Sequence, residues 1–341
     1  MQKFHTNFGT TLLLLTAIVI GSIIGSFTPA TAGQISGWVD PLILALVSLL
    51  FFEISFGSLA CIKRHFRFLS IAWIANFILI PLIGWGIASL FLSGKPLLYT
   101  GLLIYFIAPC TDWFLGFTKL ANGNTSLGSV LIPINLISQL LLFPVFLALF
   151  AGEELGFDMA GLAASLWQWF LLPFVSAIIL HQILRRLLPT SIFTSLLHVV
   201  SSLIPFTIAA LVVCIFAGNI TTILGHVNDF LVILAAVFCF FVATWFLGEF
   251  LSRHFKLTYP EHALLTMTTA ARNAPLMLGL TTAAFPNQPL IYAALIIGML
   301  VEFPHLTALK HLLLRRENRS IKPPSPATTS PMRNPKPEFQ G

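Results

Sequence analysis

Ala108-Pro109-Cys110-Thr111-Asp112-Trp113 and Ala270-Ala271-Arg272-Asn273-Ala274-Pro275 each interrupt a long apolar run near its middle. Both stretches put a proline and a charged residue where an apolar helix would otherwise continue. Proline lacks the backbone N–H and clashes with the preceding turn, so it kinks or breaks a helix. A lone Asp or Arg at the centre of a bilayer costs at least about 2.5–3.5 kcal/mol on insertion scales. Two such interruptions at matching depth read as a built feature, and the runs around them decide the fold.

Outward from these breaks the chain is a series of apolar segments. They lie near 9–28, 41–61, 68–93, 97–118, 126–150, 160–182, 191–218, 227–251, 260–284 and 288–312. Crossing about 30 Å of hydrocarbon takes about 20 residues of helix, so the pattern predicts an all-α polytopic membrane protein of about ten spans. Composition agrees: 57% of residues are hydrophobic and 9% charged, against roughly 25% charged in soluble domains. Further prolines at Pro81, Pro133, Pro173 and Pro205 predict kinks. The start, with Ala30-Thr31-Ala32 after an apolar run, mimics a cleavable leader; we read it as the first span.

Basic residues orient the spans. All but Lys95 and Arg272 of the 18 Lys and Arg fall at the termini or in every second connection, while one opposite connection carries Glu153, Glu154 and Asp158. The positive-inside rule then predicts a multi-pass protein of the cell inner membrane with both termini cytoplasmic. The net charge of +6 serves this topology, and nucleic acid is not an expected partner. Cys61, Cys110, Cys214 and Cys239 have neither metal-type nor disulfide-type spacing. Small apolar filler is the default role for all but Cys110.

Ten spans divide into two halves of five, residues 1–150 and 151–312, followed by a Pro-rich cytoplasmic tail over 313–341 that is disordered from about Ser320. An odd number of spans per half predicts inverted repeats, with broken helices four and nine crossing. Pro41 with Phe56-Gly57 corresponds to Pro205 with Phe216-Ala217, Asp112 to Asn273, and Phe143-Pro144 to Phe303-Pro304. Proline-broken helices in corresponding places of two halves point to a transporter's substrate site.

Within the breaks, Asp112 and Arg272 are placed to pair, either to hold the crossing together or to meet substrate and switch partners. Glu302 precedes Phe303-Pro304 in the tenth span and is a candidate proton carrier, since an intramembrane carboxylate marks an ion pathway by default. The alternative is a carboxylate reaching for the interface. Glu53 is a second, weaker proton candidate, and Glu249 reads as interfacial. Asn135 and Gln139, four apart on one helix face, either join helices by hydrogen bonds or line the cavity. No phosphate-binding lysine loop is present to drive a pump with ATP. There is no His-x-x-x-His pair and no intramembrane protease constellation, so neither an enzyme nor a cofactor is expected.

The run Ala108-Pro109-Cys110-Thr111-Asp112 followed by Leu120-Ala121-Asn122-Gly123 resembles the fourth span of arsenic-resistance permeases. These belong to the bile acid/arsenite/riboflavin transporter superfamily. Ala271-Arg272-Asn273-Ala274-Pro275 resembles its broken ninth span, and Val301-Glu302-Phe303-Pro304 its tenth-span Glu-x-Pro. The resemblance covers about residues 9–312. It implies arsenite or antimonite efflux by proton antiport, with Cys110 as the ligand of trivalent arsenic and Glu302 as the coupling carboxylate. A soft thiolate suits a thiophilic substrate. Asp112 and Arg272 depart from the more neutral breaks of the arsenite permeases, and Arg272 suits another small inorganic or organic anion. Sodium-coupled relatives hold their ion with polar groups at the breaks, a role open here to Thr111, Asn273 and Gln139. The coupling ion is thus a proton or sodium, and a membrane sensor or scaffold is the alternative outside transport.

Overall fold

The computed structural model describes residues 2–53, 65–111, 113–150 and 171–321. Apart from one isolated antiparallel bridge, the regular structure of these residues is helical, as expected where backbone polar groups must be satisfied within each segment. In chain order the helices are α1 (Gln2–Phe27), α2 (Pro29–Ser36), α3 (Val39–Phe52), α4 (Phe66–Ile74), α5 (Ile80–Leu92), α6 (Pro96–Ile107) and α7 (Phe114–Leu120). They continue as α8 (Thr125–Phe150), α9 (Leu172–Leu187), α10 (Thr190–Leu224), α11 (Val227–His254), α12 (Tyr259–Ala270), α13 (Ala274–Ala284) and α14 (Pro289–Ile321). Among the described residues, five segments are long and apolar enough to cross a membrane: Phe66–Leu92, α8, α10, α11 and Pro289–Glu317. The pair α2–α3, bent by 42°, makes a sixth. The fourth and ninth expected spans are each two shorter helices, α6–α7 and α12–α13. The chain is therefore a multi-pass membrane protein.

The prolines at which kinks are expected lie in different settings. Pro81 follows a π-helical turn, Ala75–Leu79, which widens the helix just where proline cannot donate to Phe77. Pro133 and Pro144 lie inside α8, which runs through them. α10 also runs through Pro205, and its departure from helical geometry comes later, at Asn219. There the side-chain Nδ2 donates to the Ile215 carbonyl at 2.9 Å. α14 continues through Ile321, so the expected boundary at 312 falls inside a helix.

Lipid supplies no hydrophobic drive between helices, so close backbone approach must. α1 packs along α10 through Gly21 and Gly25. A Cβ there would lie 2.6 Å from the Val213 oxygen and 2.4 Å from the Ala217 oxygen. α6 and α14 meet the same way at Gly101, where a Cβ would come within 2.5 Å of the Ile291 oxygen. Two apolar cores result. Leu102 to Ala108 and Leu276 to Leu278 belong to the larger. Cys110, Phe114, Phe117, Ala263 to Leu265, Met267, Ala270 and Ala271 belong to the smaller. The two breaks sit on the border between them.

Candidate functional site at the crossing of the breaks

Both broken spans become extended at their breaks, with Ala108 at φ −104°, ψ 102° and Ala271 at φ −75°, ψ 137°. Extended backbone exposes donors and acceptors that a helix would consume. Here the breaks satisfy each other as an antiparallel bridge between Pro109 and Arg272. The Cys110 N–H donates to the Ala271 carbonyl at 3.1 Å and the Asn273 N–H to the Ala108 carbonyl at 2.9 Å. Asn273 Nδ2 adds a bond to Thr111 Oγ1 at 2.9 Å.

α6 and α12 both end at this crossing and leave C-terminal carbonyls without helical donors. The fully buried Arg272 side chain turns back to serve them. Its Nη1 donates to the Phe106 carbonyl of α6 at 2.9 Å. Its Nη2 donates to the Thr268 and Thr269 carbonyls of α12 at 3.1 and 2.6 Å. The guanidinium carbon lies 5.6 Å from the centroid of the Phe240 ring, which stacks on Phe106. A helix C-terminus carries about −0.5 charge, so two of them offset a single buried cation. Among the described residues, neither Arg272 Nε nor Asn273 Oδ1 finds a partner.

Glu302 closes the site from α14. Its Oε1 accepts the Arg272 backbone N–H at 2.8 Å and the Trp113 indole Nε1–H at 2.7 Å. Its Oε2 faces the Tyr105 hydroxyl at 3.4 Å. The carboxylate is fully buried and has no salt-bridge partner among the described residues. Arg272 meets it through the main chain, so its guanidinium charge is answered by helix ends and not by this carboxylate. Phe303 packs on Trp113 at 5.0 Å between ring centroids.

Beside the crossing is a buried amide cluster. Asn76, on the π turn, and Asn135, on α8, both donate from Nδ2 to Thr268 Oγ1, at 3.1 and 3.3 Å. The Oδ1 atoms of both, and both amide atoms of Gln139, have no hydrogen-bond partner among the described residues. Cys110 is fully buried in the smaller core with Phe114, Ala271 and Phe303. Glu53 is exposed at the end of α3. Asp112 lies outside the described residues. The structure thus gathers Cys110, Thr111, Arg272, Asn273 and Glu302, with Asn135 adjoining through Thr268. Sequence inspection passes over Asn76, Tyr105, Trp113 and Thr268. Trp113 is legible as the one indole donor beside a break, and Asn76 as a polar residue in the apolar run before Pro81.

Glu249, expected at the interface, lies near the C-terminal end of α11. It is buried on α11 and paired with Arg253 at 3.3 Å and with Arg316 of α14, while His262 Nε2 lies 3.1 Å from its Oε1.

A bundle of apolar helices holding two antiparallel broken spans, with buried ionisable groups at their crossing, is the architecture of a membrane transporter. The family model described as Sodium Bile acid symporter family matches residues 41–226, and the chain belongs to that family. Its members are transporters, not enzymes, and move a small solute with a coupling ion. The chain is 26% identical over 300 residues to Uncharacterized protein YbaS of Bacillus subtilis, covering 85% of this chain and 92% of the relative. It is 25% identical over 242 residues to Probable sodium/metabolite cotransporter BASS2, chloroplastic, of Oryza sativa, covering 69% and 54%. With Arsenical-resistance protein Acr3 of Corynebacterium glutamicum it shares 21% over 322 residues, covering 89% and 87%.

Proposed function

We propose that the chain is a secondary active transporter that exports arsenite or antimonite in exchange for protons. It would work from the inner membrane with both termini cytoplasmic and its two halves acting as inverted repeats. One observation carries the proton coupling: Glu302 is fully buried at the crossing without a salt-bridge partner among the described residues. It can therefore gain or lose a proton without breaking an ion pair. The change is felt at both breaks, because Trp113 follows one and the Arg272 N–H belongs to the other. Among the described residues the Arg272 Nε–H and Asn273 Oδ1 are buried at the crossing without a partner, which suits them to receive an oxyanion or its hydroxyl. Cys110 supports trivalent arsenic as substrate, since it sits at the first break and thiolates select soft ions. The relative from Corynebacterium glutamicum named as an arsenical-resistance protein supports the same substrate.

The test is arsenite accumulation in arsenic-sensitive cells. Wild type should lower cell-associated arsenite, Glu302→Gln should not, and Cys110→Ser should lose the effect. Full protection by Cys110→Ser contradicts the thiol as ligand. A sodium-coupled organic-anion symporter is the second reading, favoured by the amide oxygens of Asn76 and Asn135 beside Thr268, which have no partner among the described residues. Its measurement is organic-anion uptake into vesicles under an imposed sodium gradient.

A further inference from the structure

We propose that the Arg272 guanidinium is a tethered substitute for the coupling cation: it fills the carbonyl cage at the crossing, and the carrier works without sodium. Helix C-termini and unwound carbonyls at the breaks are where transporters of this architecture hold a cation. Here six of those acceptors are occupied. Phe106 of α6 and Thr268 and Thr269 of α12 each give their carbonyl to an Nη of Arg272. The Ala108 and Ala271 carbonyls are taken by the Asn273 and Cys110 N–H groups, and the Met267 carbonyl by the Ala271 N–H.

Charge balance leads to the same conclusion. Two converging helix C-termini supply about −1 in total, which one monovalent cation offsets. Arg272 is that cation, fully buried and held on its open face by Phe240. A sodium ion added to the same cage would lie against the guanidinium in a low-dielectric interior, where like charges repel strongly. The planar fork matters too. Two Nη groups reach three carbonyls on two helices, which a lysine ammonium at the end of a flexible stem does not reproduce. The carbonyl cage at the crossing is therefore closed to sodium by a residue of this chain. Glu302 remains the group able to exchange its charge.

The inference is independent of which anion is carried, and its test uses neither substrate nor pH gradient. It can therefore fail while proton-driven export stands, and the reverse. Purified full-length protein in detergent is melted in sodium chloride and in choline chloride of equal concentration. Equal Tm values for wild type are expected. A sodium-specific rise of about 5 °C or more, the size expected of saturating ligand binding, overturns the proposal. Arg272→Ala should melt lower and regain stability with millimolar guanidinium or sodium, because the emptied cage accepts a free cation. A folded Arg272→Ala protein indifferent to both ions also overturns it. If that variant does not fold, the wild-type comparison decides alone.

Discussion

Two buried glutamates of this chain face opposite circumstances. Glu249 has Arg253, Arg316 and His262 around its carboxylate, drawn from three helices. Glu302 has an indole, a backbone amide and a distant phenol, and no cation pairs with it among the described residues. A paired carboxylate fixes helices to one another, and losing its charge leaves partners unpaired. A carboxylate held by neutral donors can change protonation at little structural cost. In the proposed mechanism the first is a fastener and the second a switch within one membrane domain.

Replacing each tests that separation, and the largest effect is expected at the switch. Glu302→Gln keeps the size and the acceptor oxygen, so the protein should fold with a near-wild-type Tm while proton-driven transport falls to background. A parallel loss of stability would make Glu302 a fastener too. Glu249→Gln should do the opposite, lowering stability by about 1.5–3 kcal/mol, the range for hydrogen bonds to charged groups, with transport per folded molecule unchanged. Thermal melts and transport normalised to folded protein read both at once. Tyr105→Phe removes the hydroxyl 3.4 Å from Glu302 Oε2 and should slow transport by about 2- to 10-fold, the net worth of one hydrogen bond. The smallest effect belongs to the exposed Lys95–Asp229 pair. Lys95→Ala should change stability by about 0.2–1 kcal/mol, and less in high salt.

Much of this is legible in the chain. Proline and charge inside apolar runs locate both breaks, and apolar length locates the spans, because lipid leaves helices as the one backbone solution available to them. Phe303-Pro304 beside Glu302 draws the eye to that carboxylate, which the fold buries at the crossing. Arg272 stands out equally, but its partners do not. A sequence displays side-chain charges, whereas the acceptors of the guanidinium among the described residues, which do not include Asp112, are carbonyls of Phe106, Thr268 and Thr269. Those carbonyls become acceptors only once two helices end side by side. Asn76 is hidden for a related reason, since its partner Thr268 is 192 residues away in the chain. The pairing of Glu249 is hidden because Arg316 is 67 residues away in the chain.

The central claim is that protonation of Glu302 at the crossing drives export. Its most direct measurement is arsenite flux into sodium-free proteoliposomes under an imposed pH gradient, wild type beside Glu302→Gln. The account predicts flux that follows the gradient in wild type and none above background in the variant. Equal flux in both proteins, or wild-type flux indifferent to the gradient, would contradict it.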